Sequence, residues 1–246
     1  MRVGAIVRRG LPPLVVFAVL GLAWQVVAAR DNTVLPPLGA VGRQLTDQPH
    51  FWLQQSGFTL VNAVLGFGCG VGVALALATL LIHVPLLRSA IMPVAVLFNV
   101  TPVVAVAPAL IVAFGFGRAP HVIVAALVSF FPMLVNAITG FDSVDPQALD
   151  LFRSVDASRY EIFVRLRFVS SLPYLFSAAK VCVSLAVIGS VISEFSNSSE
   201  GLGFTISSVT QYNNVAELWA AIFCSAAMAL VLLGLVSLAG KLVIRW

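Results

Sequence analysis

The feature that most constrains this chain is a series of long stretches with almost no charge. Phe58 to Ile82, Ser89 to Phe114 and Ala119 to Thr139 contain no Asp, Glu, Lys or Arg at all. A helix needs roughly 20 apolar residues to cross the hydrocarbon of a bilayer, and each stretch reaches that length. Similar runs lie at Leu11–Ala29, Pro173–Ser193 and Ala216–Lys241. Only 10% of the 246 residues are charged and 60% are hydrophobic, against roughly 25% charged in a soluble domain. That little charge cannot solvate a body of this size, so lipid must be part of the solvent. The expected fold class is all-α: a single polytopic transmembrane domain over residues 1–246, with about six transmembrane helices.

The net charge of +4 reads as a topology signal. The basic residues fall between the apolar runs, with no basic stripe and no interleaved aromatics, which argues against nucleic acid. With the N-terminus inside, one side of the membrane holds Arg2, Arg8, Arg9, Arg88, Arg153, Arg159, Arg165, Arg167, Lys241 and Arg245. Lys180 is expected to snorkel to that same side. The other side holds only Arg30, Arg43 and Arg118. The bias places both termini in the cytoplasm. Arg2, Arg8 and Arg9 before an apolar run ending in Val-Ala-Ala also resemble a secretory signal, but the run has the length of a span, so an uncleaved first helix is expected. Cys69, Cys182 and Cys224 each sit inside an apolar run and read as small packing residues, not as a metal or disulfide framework.

Within the spans, Gly66, Gly68, Gly70 and Gly72 alternate. Gly68 and Gly72 share a helix face and would permit close helix approach, in the interior or at a subunit interface. The third span is expected to be broken by Pro93, Pro102 and Pro108. Its Asn99, Thr101 and Pro102 make it a candidate pathway wall, or a merely bent packing helix. The polar residues inside the spans, Asn99, Thr101, Ser129, Asn136, Ser184 and Ser190, imply a pathway with little fixed charge.

One segment does not fit the membrane. From Asp142 to Arg167 the chain is polar. Asp145 suits an N-cap and Pro146 the first helical position, while Leu149, Phe152 and Val155 make an apolar ridge. Ser158 and Glu161 have the spacing of a capping box for a second helix. Two short helices at an angle are expected, presenting a docking knob to the cytoplasm.

Asp150-Leu151-Phe152, Asp156-Ala157-Ser158, Tyr160 and Leu172-Pro173-Tyr174 resemble the EAA loop of importer-type ABC transporter permeases. Ser56–Gly66, Thr101–Pro108, Phe114–Gly117, Phe130–Pro132, Glu194-Phe195 and Ser199–Phe204 extend the likeness, toward the subfamily that imports nitrate, taurine and alkanesulfonates. The resemblance implies a non-enzymatic transport subunit of the bacterial inner membrane. Its implied partners are two ATP-binding cassette ATPase subunits, a second permease copy or paralogue, and an extracytoplasmic substrate-binding protein. ATP and Mg would be bound by the ATPase. This chain has no Gly-x-x-x-x-Gly-Lys-[Ser/Thr] phosphate loop and no cofactor of its own is expected.

On this resemblance the ATPase-coupling residues are Asp150, Arg153, Asp156, Ala157, Ser158, Arg159 and Tyr160. Asp156 stands where the family has glycine, and aspartate tolerates the left-handed backbone that glycine would supply. The candidate pathway or gate residues are Asn99, Thr101, Pro102, Ser190, Glu194, Gly201 and Gly203. Glu194 is read either as gating or binding-protein docking, or as an interfacial carboxylate that reaches water. The cargo is a small solute, nitrate-, sulfonate- or taurine-like, or a vitamin or pyrimidine precursor. The main alternative is a secondary transporter or channel, which gives no reason for the 142–168 segment. A membrane scaffold would explain that segment but not the kinked, polar-dotted spans.

Overall fold

A computed structural model describes residues 3–30, 34–212 and 214–244, and every described regular element is helical. Arg2 and Arg245, counted in the charge bias, lie outside the described residues. The helices are α1 (Val3–Arg30), α2 (Leu38–Asp47), α3 (Pro49–His83), α4 (Pro85–Val100), α5 (Val103–Phe114) and α6 (Arg118–Asp142). They continue as α7 (Pro146–Ser154), α8 (Arg159–Glu161), α9 (Phe168–Asn197), α10 (Leu202–Gln211) and α11 (Val215–Val243).

Four helical runs are long and apolar enough to cross a membrane: α3, α6, Arg159–Phe195 and α11. Shorter apolar helices, Val15–Arg30, Pro85–Leu97 and Ala105–Phe114, occupy the first and third expected spans. Pro93 and Pro108 do not break the third span; both lie inside helices. The break is at Thr101–Pro102, where both residues are extended. The Pro102 ring excludes Thr101 from the helical region.

The helices α3, α6 and α9 form the central trio. Small residues set their spacing. A Cβ on Gly66 or Gly70 would run into Ala125 or the Ala126 carbonyl of α6, and one on Gly189 would meet Val128 at 2.8 Å. Gly68 and Gly72, the pair singled out from sequence, face open space instead. The buried face of α3 runs through Gln55, Thr59, Asn62, Gly66, Gly70, Ala74, Ala78 and Leu81, at the three-to-four spacing of one helix stripe. Dispersion contacts between closely approaching backbones hold such helices together in lipid, where no hydrophobic force acts between them.

At one end of the trio lies α7. At the other, α2 and α10 lie against α3, α9 and α11. Trp24 and Trp219 meet edge-to-face there at 4.4 Å, with Phe223 beside them. Their indole nitrogens donate to the Pro36 and Val34 carbonyls. Paired indoles of this kind suit a membrane–water interface.

Candidate functional site

The α7 knob is built by local rules. Asp145 caps α7, its carboxylate accepting the Gln147 amide at 2.9 Å, and Pro146 takes the first helical position. The helix stops in a defined way. The Ala157 amide donates to the Phe152 carbonyl at 3.0 Å and the Asp156 amide to the Arg153 carbonyl at 3.1 Å. This pair is the Schellman arrangement, which requires a left-handed residue just past the helix end. Asp156 is that residue, with φ of 51°, the one positive-φ non-glycine among the described residues. The backbone geometry expected of the family glycine is therefore kept with an aspartate.

Two residues later Ser158 starts the next helix through a complete capping box with Glu161. The Glu161 carboxylate accepts from the Ser158 amide at 3.0 Å and hydroxyl at 2.9 Å. Those two bonds, aided by Arg165, hold the Glu161 carboxyl below its usual range. The expectation of two separate short helices is corrected here. Glu161 leads without a break through a π-helical turn, Ile162–Arg167, into α9. The second helix is thus the stem of a span. Helices of this type tolerate such wide turns mainly at functional sites.

The tip of the knob is open. Leu151, Val155 and Tyr160 are 64%, 69% and 73% exposed. Leu149 and Phe152 are half-buried beneath them. Asp150 and Arg153 pair at 3.3 Å in full contact with solvent, where such a pair is worth at most about 1 kcal/mol. The stem is braced more firmly. Asp142 pairs with Arg88 at 2.7 Å and lies 3.8 Å from Arg167, which also donates to the Phe141 carbonyl at 3.0 Å. Phe163 sits between His83 and Phe141. A cleft of about 430 Å³ runs between stem and knob, lined by His83, Leu149, Arg153, Arg159 and Arg167.

A second constellation closes the opposite end. Glu194 is fully buried, so it does not reach water in this conformation. Its carboxylate accepts from Thr59 Oγ1 at 2.7 Å, Ser190 Oγ at 2.9 Å, Asn62 Nδ2 at 3.0 Å and the Gly203 amide at 3.2 Å. The Leu202 amide donates to Thr59 Oγ1 at 2.9 Å and the Gly201 amide to Gln55 Oε1. The first amides of α10 are thus satisfied by side chains of α3 and α9, and a carboxylate sits at the positive end of the α10 dipole. Gly201, with φ of 102°, and Gly203 have no room for a Cβ, which would strike Glu194 or the α9 backbone. Beside the cluster, His121 Nδ1 lies 2.8 Å from Ser193 Oγ.

The structure brings Ser190, Glu194, Gly201 and Gly203 together. Asn99, Thr101 and Pro102 stay apart at the exposed α4–α5 break, joined to the cluster by no hydrogen bond among the described residues. Sequence reasoning missed Gln55, Thr59 and Asn62. Their signal was present: polar side chains at i, i+4 and i+7 inside an apolar span, where each is costly unless paired. Among the described residues no group of three or more His, Cys, Asp or Glu could hold a metal ion, and the three cysteines are free.

Comparison with known proteins agrees with this architecture. Residues 66–246 match the family described as binding-protein-dependent transport system inner membrane component. A probable ABC transporter permease protein of Haemophilus influenzae is 30% identical, over 91% of this chain and 93% of that protein. The formylaminopyrimidine transport permease protein ThiX of Halalkalibacterium halodurans is 29% identical over 80% of each chain. The nitrate import permease protein NrtB of Leptolyngbya laminosa is 24% identical over 83% of this chain and 77% of its own. In structure, the chain is similar to one from the MetNI methionine ABC transporter in an inward facing conformation. The TM-score is 0.65 at 17% identity, covering 80% of this chain and 97% of that one. The chain therefore belongs to the family of binding-protein-dependent transport system inner membrane components, and it is a permease subunit of an ABC importer, a transport protein and not an enzyme.

Proposed function

We propose that the α7 knob is the handle through which a cytoplasmic ATPase subunit moves this permease. The observation that carries the reading is the exposed tip of Leu151, Val155 and Tyr160 on a backbone fixed at both ends, by the Schellman stop at Asp156 and the capping box at Ser158. Apolar groups held out on a rigid mount are suited to a pocket in a partner. Because the knob continues as α9, a push on Tyr160 is delivered along a helix that also carries Glu194. Asp150, Arg153 and Arg159 form the polar rim of the contact, with Ala157 in the turn between them.

In this reading both termini and α7 face the cytoplasm, and α10 faces outward. Two ATPase subunits bind ATP and Mg and drive two permease chains, copies or paralogues, that accept cargo from an extracytoplasmic binding protein. The Glu194 cluster is the latch that holds α10 against α3 and α9 in one state. The exposed break at Asn99, Thr101 and Pro102 lines the route. The cargo is a small solute of the nitrate, sulfonate or taurine kind, or a vitamin or pyrimidine precursor.

The test is to replace Arg159 and Tyr160 together with alanine in the intact transporter. Loss of ATPase association and of uptake, with the permease still inserted, is the expected result. Unchanged association and uptake would end the assignment.

A further inference from the structure

Lys180 does not fit the place the charge bias gives it. It lies on α9 beyond Arg167, whose contacts with Asp142 and the Phe141 carbonyl tie it to the ionic layer at the α7 end. At 1.5 Å per residue the separation from Arg167 to Lys180 along the helix is about 20 Å. A lysine stem reaches only roughly 6 Å while keeping its charge toward water. With Arg167 at the level of the membrane surface, snorkelling leaves the ammonium inside the membrane.

The side chain is exposed on the surface of this chain, and no carboxylate among the described residues pairs with it. Its helix face mixes serines with apolar residues, Val181 and Ile188 also being exposed there. Ser177, one turn before, is exposed, and Ser184, one turn after, turns its hydroxyl onto the Lys180 carbonyl at 3.4 Å. The exposed row of α11 is different: Leu230, Val231, Leu235, Leu238 and Leu242. That row is uniformly apolar; the Lys180 face sets a lysine and two serines beside Val181 and Ile188. An unpaired ammonium at this depth is tolerated where it meets water, not acyl chains or a dry subunit interface without a counter-charge.

We propose that Lys180 is the fixed positive charge of the translocation pathway, placed on the cargo's route and favouring solutes that carry an anionic group. The inference rests on the transport reading above and narrows its cargo. A cation in a confined, water-filled passage concentrates anions and repels cations. It replaces the expectation of a pathway with little fixed charge. Among the cargo types considered, it favours those with a nitrate, sulfonate or carboxylate group over uncharged ones.

The test does not require the cargo. In membranes containing the full transporter, cysteine is placed at Ser184 in a chain whose Cys69, Cys182 and Cys224 are alanine. The thiol is then titrated from each side with two membrane-impermeant methanethiosulfonates, one bearing a sulfonate and one a trimethylammonium. The probe site is about 6 Å from Lys180. Lys180 should raise the anion-to-cation rate ratio over Lys180→Gln by roughly tenfold to ten-thousandfold, since one reagent is attracted as the other is repelled, for an effective dielectric between bulk water and a protein surface. Lys180→Arg should keep the preference. A thiol that reacts with neither reagent, in any nucleotide state, would put this face in lipid or in a dry contact and overturn the proposal. A reactive thiol whose ratio ignores Lys180→Gln would overturn it equally. The same comparison with the native cysteines present, subtracting parental labelling, covers a cysteine-free chain that fails to assemble. Failure of an ATPase to co-purify would sink the coupling reading and is scored separately from the thiol chemistry.

Discussion

Replacing Glu194 with alanine should release α10 before it disturbs the rest of the bundle. Four donors converge on the carboxylate, but they are not equally stranded by its loss. Thr59 Oγ1 also lies 3.3 Å from the Gln55 carbonyl, and Ser190 Oγ lies 3.4 Å from the Thr59 carbonyl. Both hydroxyls can turn to those acceptors. Asn62 Nδ2 and the Gly203 amide have only the carboxylate. Two buried donors left unsatisfied cost about 1–3 kcal/mol each, or about 2–6 kcal/mol together. Glu194→Gln should cost less. It retains one acceptor oxygen, and Asn62 can rotate to offer its Oδ1, which is buried without a partner in the present arrangement. The assay is amide exchange of the protein in nanodiscs, read over residues 199–211. A local cost of about 2 kcal/mol corresponds to roughly 30-fold faster exchange. Unchanged exchange over this stretch in Glu194→Ala, or a larger effect from Gln than from Ala, would refute the reasoning.

Glycine substitutions should separate the two faces of α3. Gly70→Ala, aimed at the Ala126 carbonyl, should lower thermal stability clearly, while Gly68→Ala and Gly72→Ala, aimed at open space, should leave it nearly unchanged. Equal losses at all three glycines would contradict the packing described. At the end of α7, Asp156→Gly relieves a left-handed non-glycine residue and should gain up to about 1 kcal/mol, whereas Asp156→Val should lose about 1–2 kcal/mol, both read by thermal unfolding. A loss with glycine would mean that the aspartate side chain itself stabilises the turn. The capping box should be sensitive to acid. Bonds from Ser158 lower the Glu161 carboxyl, so their stabilisation is complete above the ordinary glutamate range and is lost as pH falls through the lowered value. Exchange protection of residues 158–162 should follow that course; Ser158→Ala, which keeps the amide donor, should weaken the dependence, and Glu161→Gln should abolish it.

Much of the knob was legible because its rules are local. Asp145 before Pro146 and Ser158 three residues before Glu161 announce helix starts within a single turn of chain. Asp156 could be assigned its backbone because it stands where the resembled family has glycine and because aspartate tolerates the left-handed region. The latch was not legible in the same way. Glu194 stands out in an apolar run, but its partners Thr59 and Asn62 lie far away in sequence, and only packing brings them together. The glycines of α3 show a related limit. Spacing shows that Gly66 and Gly70 share one face and Gly68 and Gly72 another; it does not say which face meets α6. The buried stripe from Gln55 to Leu81 decides that, and it includes the first pair. The stem of α9 was misread because Ser158 starts a helix convincingly, while nothing local says that this helix continues through a π turn into the membrane. Lys180 was placed by the charge bias; its distance along the helix from Arg167 is what the pathway proposal sets against that placement.

The most direct test of the coupling role is a disulfide cross-link in the assembled transporter, between cysteine at Tyr160 and cysteines placed one at a time along the surface of the ATPase subunit. A cross-link confined to one groove of the ATPase, its yield changing between nucleotide-free and ATP-bound states, is the predicted result. A Tyr160 thiol that couples to no ATPase position and reacts instead with impermeant reagent from outside the cell would contradict it.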